Sequence, residues 1–154
     1  IKDGVEMVMV GHLLVPVLDT LPASVSKVVV TDLLRKKMKF RGLIITDALG
    51  MEGVLEPFGG SGAKATLAAY KAGVDILLMP DNVSESIDLI VDYIGDDRRK
   101  LKDLDARVSR VLALKGKCGK LTGRDDLSVD PAAVDTKGTD ALITTIEETL
   151  AAGR

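Results

Sequence analysis

Cysteine and histidine each occur once in the 154 residues, at Cys118 and His12. A lone cysteine excludes an internal disulfide framework and a cysteine-built zinc knuckle. A lone histidine excludes any internal site that needs two imidazoles, and no metal or other cofactor is expected. Tryptophan is absent, and aromatics are only 3% of residues (Phe40, Phe58, Tyr70, Tyr93). Stacking platforms for bare bases or long sugars are therefore nearly missing. An excess of one charge is also missing, since 21 Lys+Arg face 23 Asp+Glu for a net −2. That balance argues against nucleic acid as a partner, which calls for a basic face. No apolar run approaches the roughly 20 residues of a membrane span. No signal-peptide pattern opens the chain. The first residue is Ile1 rather than Met, which reads as a fragment, a processed product or a trimmed chain, so the compartment is left open.

The hydrophobic fraction is 46%, enough for a core and too high for wholesale disorder. Three short apolar runs predict buried strands: Val5–Val10, Leu43–Thr46 and Val74–Met79. Each is continuous rather than alternating, as parallel strands covered on both faces would be. Helical patterns lie between them. Val29, Val30, Leu33, Leu34 and Met38 predict a helix over about 26–38, with Ser24 or Ser26 as its cap. Residues 63–72 predict an alanine-rich helix closed by Gly73. Residues 84–94 predict another, with Ser84 as N-cap, and Leu104 to Lys115 one more. This strand–helix alternation has the crossover length of βαβ units, so the expected fold is α/β with a parallel sheet. Three strands cannot close a barrel. They suit either a piece of a (β/α)8 barrel or a small open sheet, and the polar, glycine-containing loops after each strand favour the barrel piece. Residues 1–121 are expected to form this unit. Residues 122–154 read as a polar linker followed by an amphipathic helix bearing Leu142, Ile143, Ile146 and Leu150, leading toward a second domain that is expected to lie outside this sequence.

The strongest local feature is Ile44-Ile45-Thr46-Asp47-Ala48-Leu49-Gly50-Met51. A carboxylate there ends an apolar strand and enters a glycine-containing loop. The strand would hold the side chain rigidly while the loop opens it to substrate. The competing reading is that Asp47 caps a following helix or turn. His12, in Val10-Gly11-His12, falls on the same expected rim and is either a substrate contact or a structural histidine. Gly59-Gly60-Ser61-Gly62-Ala63-Lys64 resembles a phosphate loop only faintly: Gly and Lys are not adjacent, and no strand precedes it. A loop before a helix is expected instead, and an unrelated nucleotide-binding α/β domain is the weaker alternative. The basic cluster Arg35, Lys36, Lys37, Lys39, Arg41 straddles a helix end, where cations complement the dipole, and reads as a solvated face. Cys118 reads as an inert thiol near a helix end.

Taken together, these segments resemble glycoside hydrolase family 3, in its β-N-acetylhexosaminidase-like branch. Val8-Met9-Val10-Gly11-His12 is similar to the family's sixth barrel strand with its trailing histidine. Pro22-Ala23-Ser24-Val25-Ser26 resembles the start of the next helix. Phe40-Arg41-Gly42 followed by Leu43 through Met51 resembles the strand that delivers the nucleophile. Ala72 through Pro80 resembles the eighth strand, and Arg107 through Lys115 the helix that closes the barrel. The resemblance covers about residues 5–120 and implies the C-terminal half of a (β/α)8 barrel. It implies that Asp47 is the nucleophile of a retaining glycosidase and that His12 and Met51 line the sugar pocket. The implied substrate is a terminal β-linked N-acetylglucosamine, with plain β-glucosides or a non-catalytic carbohydrate-binding module as alternatives.

Two departures from the family pattern matter. No residue matches the Lys-His-Phe and Gly-His-Gly stretches that bind sugar and carry the branch's acid–base pair. The chain alone is therefore expected to lack turnover and to need the N-terminal barrel half, as a second chain or through self-association. Lys39 stands where the family usually has glycine before phenylalanine, so distortion of that helix end is expected.

Overall fold

The computed structural model describes residues 4–118, and the expectations for residues 119–154 lie outside the described residues. The architecture is α/β. Strand β1 (Met7–Val10) pairs in parallel with β2 (Leu43–Thr46), in the register Met7 to Leu43 through Val10 to Thr46. Both strands therefore end on one rim. The third expected strand is reduced to a single parallel bridge, Ile45 to Ile76. Its backbone does run beside β2: the Asp75 and Ile76 amides donate to the Ile44 carbonyl at 2.9 and 3.1 Å, and Thr46 donates to Ile76 at 3.1 Å. The ladder then stops for two reasons. The Leu78 amide donates to the Thr46 hydroxyl at 3.0 Å rather than to a backbone carbonyl, and Met79 turns away with φ of 45°.

Full coverage of both sheet faces holds for β2, where Leu43, Ile44 and Thr46 are buried, and fails for β1. Val5, Met7 and Met9 alternate with Val8 and Val10, and their side chains are about half exposed. One face of β1 thus meets solvent among the described residues. The core beneath the other face gathers Val10, Val30, Phe40, Ile44, Leu49 and Val74. Burying an aliphatic side chain of that size contributes about 1.5–3 kcal/mol.

The helix expected over 26–38 spans Val28–Lys37 and is a π-helix rather than an α-helix. Its exit keeps the wide winding, with the Met38 amide donating to Leu33 and Phe40 to Leu34. Val28 through Thr31 are all β-branched, which crowds an α-helical turn. Ser26 supplies the cap, accepting from the Val29 amide at 3.2 Å, while Ser24 is used elsewhere. Lys39 takes φ of 56°. The chain therefore makes its exit in the left-handed conformation that glycine adopts without cost.

Short helix α1 (Glu52–Leu55) and a 3-10 turn (Glu56–Phe58) follow β2, and neither was signalled by periodicity. Helix α2 (Gly62–Ala72) starts at Ser61, whose hydroxyl accepts from the Lys64 amide, and ends at left-handed Gly73 as expected. Helix α3 (Val83–Ile94) is capped by Asn82 and not by Ser84: Asn82 accepts from the Glu85 amide while Glu85 accepts from the Asn82 side chain. This reciprocal pair outcompetes a serine one position inside the first turn. Helix α4 (Arg98–Lys117) begins earlier than expected, because Asp97 caps it through the Arg99 amide at 2.8 Å. On α3, Ser86 and Ile94 are buried, while Ile87 and Val91 are more than half exposed. On α4, Arg107 is buried and Val108 and Leu112 are nearly half exposed.

Candidate active site

Asp47 begins the loop that leaves β2, and the amides of Asp47, Ala48, Leu49 and Met51 are all hydrogen-bonded. The Asp47 amide donates to the Val10 carbonyl at 3.1 Å, which fixes it against the end of β1. The Ala48 amide donates to Asp47 Oδ1 at 2.8 Å. Leu49 is fully buried, and its amide donates to the Leu78 carbonyl at 2.9 Å. Gly50 lies against the Asp81 carboxylate, so closely that a Cβ there would collide with Oδ1. The Met51 amide turns back to the Ala48 carbonyl at 3.1 Å. Asp47 itself is half-buried. One carboxylate oxygen is steered by the Ala48 amide, and the other has no hydrogen bond among the described residues. This is the disposition of a carboxylate held in place by one oxygen and presented by the other. As a helix cap Asp47 is not used, since α1 starts at Glu52 with Met51 at its N-cap and no side-chain cap bond. The bond to the Ala48 amide does place it at the head of the Ala48–Met51 turn, as the turn-capping alternative has it.

His12 reaches the same loop from the end of β1. Its Nε2 lies 2.9 Å from the Ala48 carbonyl oxygen and its Nδ1 lies 2.6 Å from Ser24 Oγ. A carbonyl can only accept, so Nε2 carries the proton, and in the neutral ring Nδ1 accepts from the Ser24 hydroxyl. Both ring nitrogens are thus spent on protein partners. A sugar could meet His12 only through its ring edge or face. Met51 is about half exposed, at the N-cap of α1. The structure therefore brings His12, Asp47 and Met51 to one rim, with Ala48 as the residue that links all three.

Three contributors were not found by sequence reasoning. Ser24 is completely buried, and the serine-rich stretch around it signalled only a cap. Thr46 is completely buried and spends its hydroxyl on Leu78. Asp81 stands exposed on the rim after the third strand segment, beside Gly50 and Gly62. Asp19 accepts from the Ser26 hydroxyl at 2.6 Å and from the Leu21 amide at 3.3 Å. These bonds, the Ser26 hydroxyl foremost, hold its carboxyl below the usual carboxylate range. No group of three or more acidic, histidine or cysteine side chains is placed to hold a metal ion among the described residues. The Gly59–Lys64 stretch forms the turn that enters α2.

Known proteins resemble this chain in sequence and in fold. Residues 1–114 match the family described as the glycosyl hydrolase family 3 N-terminal domain. A β-N-acetylglucosaminidase/β-glucosidase from Cellulomonas fimi is 33% identical over 130 residues, which is 77% of this chain and 23% of that protein. The β-N-acetylhexosaminidase of Beutenbergia cavernae superimposes with a TM-score of 0.65 at 28% identity, over 75% of this chain and 35% of that one. A family 3 β-N-acetylglucosaminidase from Paenibacillus gives 0.67 at 26% identity, over 84% of this chain and 25% of that one. The chain spans about a quarter of the length of the curated relatives it matches.

Proposed function

Because the chain belongs to glycoside hydrolase family 3, we propose that it supplies Asp47 as the nucleophile of a retaining β-N-acetylglucosaminidase. The observation that carries this reading is the Asp47 carboxylate at the end of β2, one oxygen held by the Ala48 amide and the other unbonded. In a retaining mechanism that free oxygen attacks the anomeric carbon as the glycosidic bond breaks. The leaving oxygen takes a proton from a separate acid, and water later releases the sugar from the carboxylate. His12 and Met51 flank the attack position, His12 by its ring surface and Met51 as an apolar wall. The substrate is a glycan ending in β-linked N-acetylglucosamine, in keeping with the activities named for the relatives from Cellulomonas, Beutenbergia and Paenibacillus. The double name of the Cellulomonas relative also supports a β-glucosidase reading, which paired assays on N-acetylglucosaminides and glucosides separate.

In this reading β1, β2 and the strand segment around Ile76 form the C-terminal part of a (β/α)8 barrel, and further β/α units complete it. Those units cover the open face of β1 and bring the acid. On its own the chain therefore turns over no glycoside at an enzyme's rate.

Treatment with an activated 2-fluoro glycosyl donor, followed by peptide mapping, tests the nucleophile. A covalent sugar on Asp47 is expected in the wild type and none in Asp47→Asn, with the far-UV spectrum of that variant unchanged. A sugar on another residue overturns the assignment.

A further inference from the structure

We propose that Ser24 is a positioning residue which, through His12, holds the Ala48 carbonyl and so the loop that presents Asp47. The inference rests on the reading of Asp47 as the nucleophile. Ser24 lies in a single 3-10 turn, Ala23–Val25, whose three residues are all buried. The turn is set by its own backbone: the Ala23 amide donates to Leu13 at 2.8 Å and the Val25 amide to Pro22 at 3.0 Å. Its hydroxyl is thus delivered to a fixed point, 2.6 Å from His12 Nδ1.

That bond selects one orientation of the imidazole. Turned over about its Cβ–Cγ bond, the ring would present carbon where Nδ1 and Nε2 now stand and lose both partners. A half-buried ring nitrogen left without a partner is costly, which favours the one orientation that satisfies both. In the selected orientation Nε2 donates to the Ala48 carbonyl, which also accepts from Met51. The same residue's amide steers Asp47 Oδ1. Ser24 never approaches the rim, yet it decides whether Ala48 is held from one side or from two.

His12 is the chain's only histidine, so nitrogen NMR of the full 154-residue chain reads this relay from a single ring. In the wild type, Nε2 is expected to carry the proton, with Nδ1 at the position of a hydrogen-bonded acceptor. In Ser24→Ala, the Nδ1 resonance should move toward that of an unbonded nitrogen and the Ala48 carbonyl carbon should shift, while amides of α2 and α3 stay in place. The rate at which the 2-fluoro donor labels Asp47 should fall about tenfold, with half-saturation little changed, as misplacement of a reacting group predicts. A wild-type ring protonated on Nδ1 overturns the proposal. So do unchanged Nδ1 and Ala48 signals in Ser24→Ala, or an unchanged labelling rate. If Ser24→Ala fails to fold, the wild-type tautomer and the near-isosteric Ser24→Cys decide between the same two outcomes. If the label settles on a residue other than Asp47, the nucleophile reading fails, and the ring signals alone decide the role of Ser24.

Discussion

Arg110 grips the carboxylate of Asp75 with two nitrogens, Nε at 3.0 Å and Nη2 at 2.6 Å from Oδ1. The Asp75 side chain has no exposed surface. Its other oxygen accepts from the Ile44 amide at 2.8 Å and from Arg35. One carboxylate therefore ties α4, the π-helix and the start of β2 to the third strand segment. Arg35 also donates to the Gly42 carbonyl at 2.5 Å, and burial draws its pKa below the usual guanidinium value against the pull of Asp75.

Removing that carboxylate should leave two guanidinium groups and a backbone amide without their partner. Loss of one member of a buried ion pair costs about 3–5 kcal/mol. Asp75→Ala is expected to lower the unfolding free energy from urea titration by that amount, seen as a lower midpoint with the slope of the transition unchanged. A loss below about 1 kcal/mol would show that solvent replaces the carboxylate, as it does for exposed pairs.

Asp19 gives the chain a dependence on acid. Its folded-state carboxyl is depressed, chiefly by the Ser26 hydroxyl. Its contribution is therefore complete above the unfolded value near 3.8 and fades as pH falls through the lower folded value. Ser26→Ala removes the main cause of the depression. Stability curves of wild type and variant should lie furthest apart at pH 6–7 and converge below about pH 4, leaving a pH-independent remainder from the lost Val29 cap. Denaturant midpoints from pH 3 to pH 7 measure this. Parallel curves would show that the Asp19–Ser26 bond carries no ionic component.

The two paired strands, the parallel sense and the place of Asp47 were all legible in the sequence. Each rests on local patterns: a continuous apolar run, a crossover-length helix, and a carboxylate where the run ends. The third strand was misread because one hydroxyl, on Thr46, takes the amide that would have extended the ladder, and side-chain capture of a ladder amide leaves no periodic trace. Ser84 was mistaken for the cap of α3 because serine and asparagine are both good caps, and only the return bond from Glu85 separates them. The role of Arg107 was invisible for a different reason. It donates to the carbonyls of Tyr70 and Val74 at 2.8 and 2.6 Å, more than 30 positions away in sequence, and helical periodicity carries no sign of partners so distant. Ser24 and His12 meet across 12 positions, a contact made by the fold and not by spacing.

The uncovered apolar surface predicts association. Leu77, Ile90, Leu104, Val108 and Leu112 line a cavity of about 450 Å³ between α3 and α4, and β1 offers Met7 and Met9 to solvent. Exposed apolar area on this scale, next to an unpaired strand edge, favours self-association when no partner covers it. Sedimentation of the isolated chain should show mass rising with concentration. The double variant Val108→Glu with Leu112→Glu should shift it toward the monomer without loss of helix signal. A monomer at every concentration would mean that the described residues are stable with this surface open.

Lys39 offers the sharpest test of the backbone. A non-glycine residue held at φ of 56° carries about 1–2 kcal/mol of left-handed strain. Glycine relieves that strain but adds freedom to the unfolded chain, which takes back about 0.5–1 kcal/mol. The net effect of Lys39→Gly should be a gain of up to about 1.5 kcal/mol, or a few degrees in Tm. Lys39 makes no hydrogen bond or ion pair among the described residues, so removing its side chain breaks no polar interaction that would oppose the gain. Thermal melts of the two proteins at one concentration check this. A lower Tm for Lys39→Gly would show that the lysine stem stabilises the turn by packing over Phe40, the buried ring that follows it.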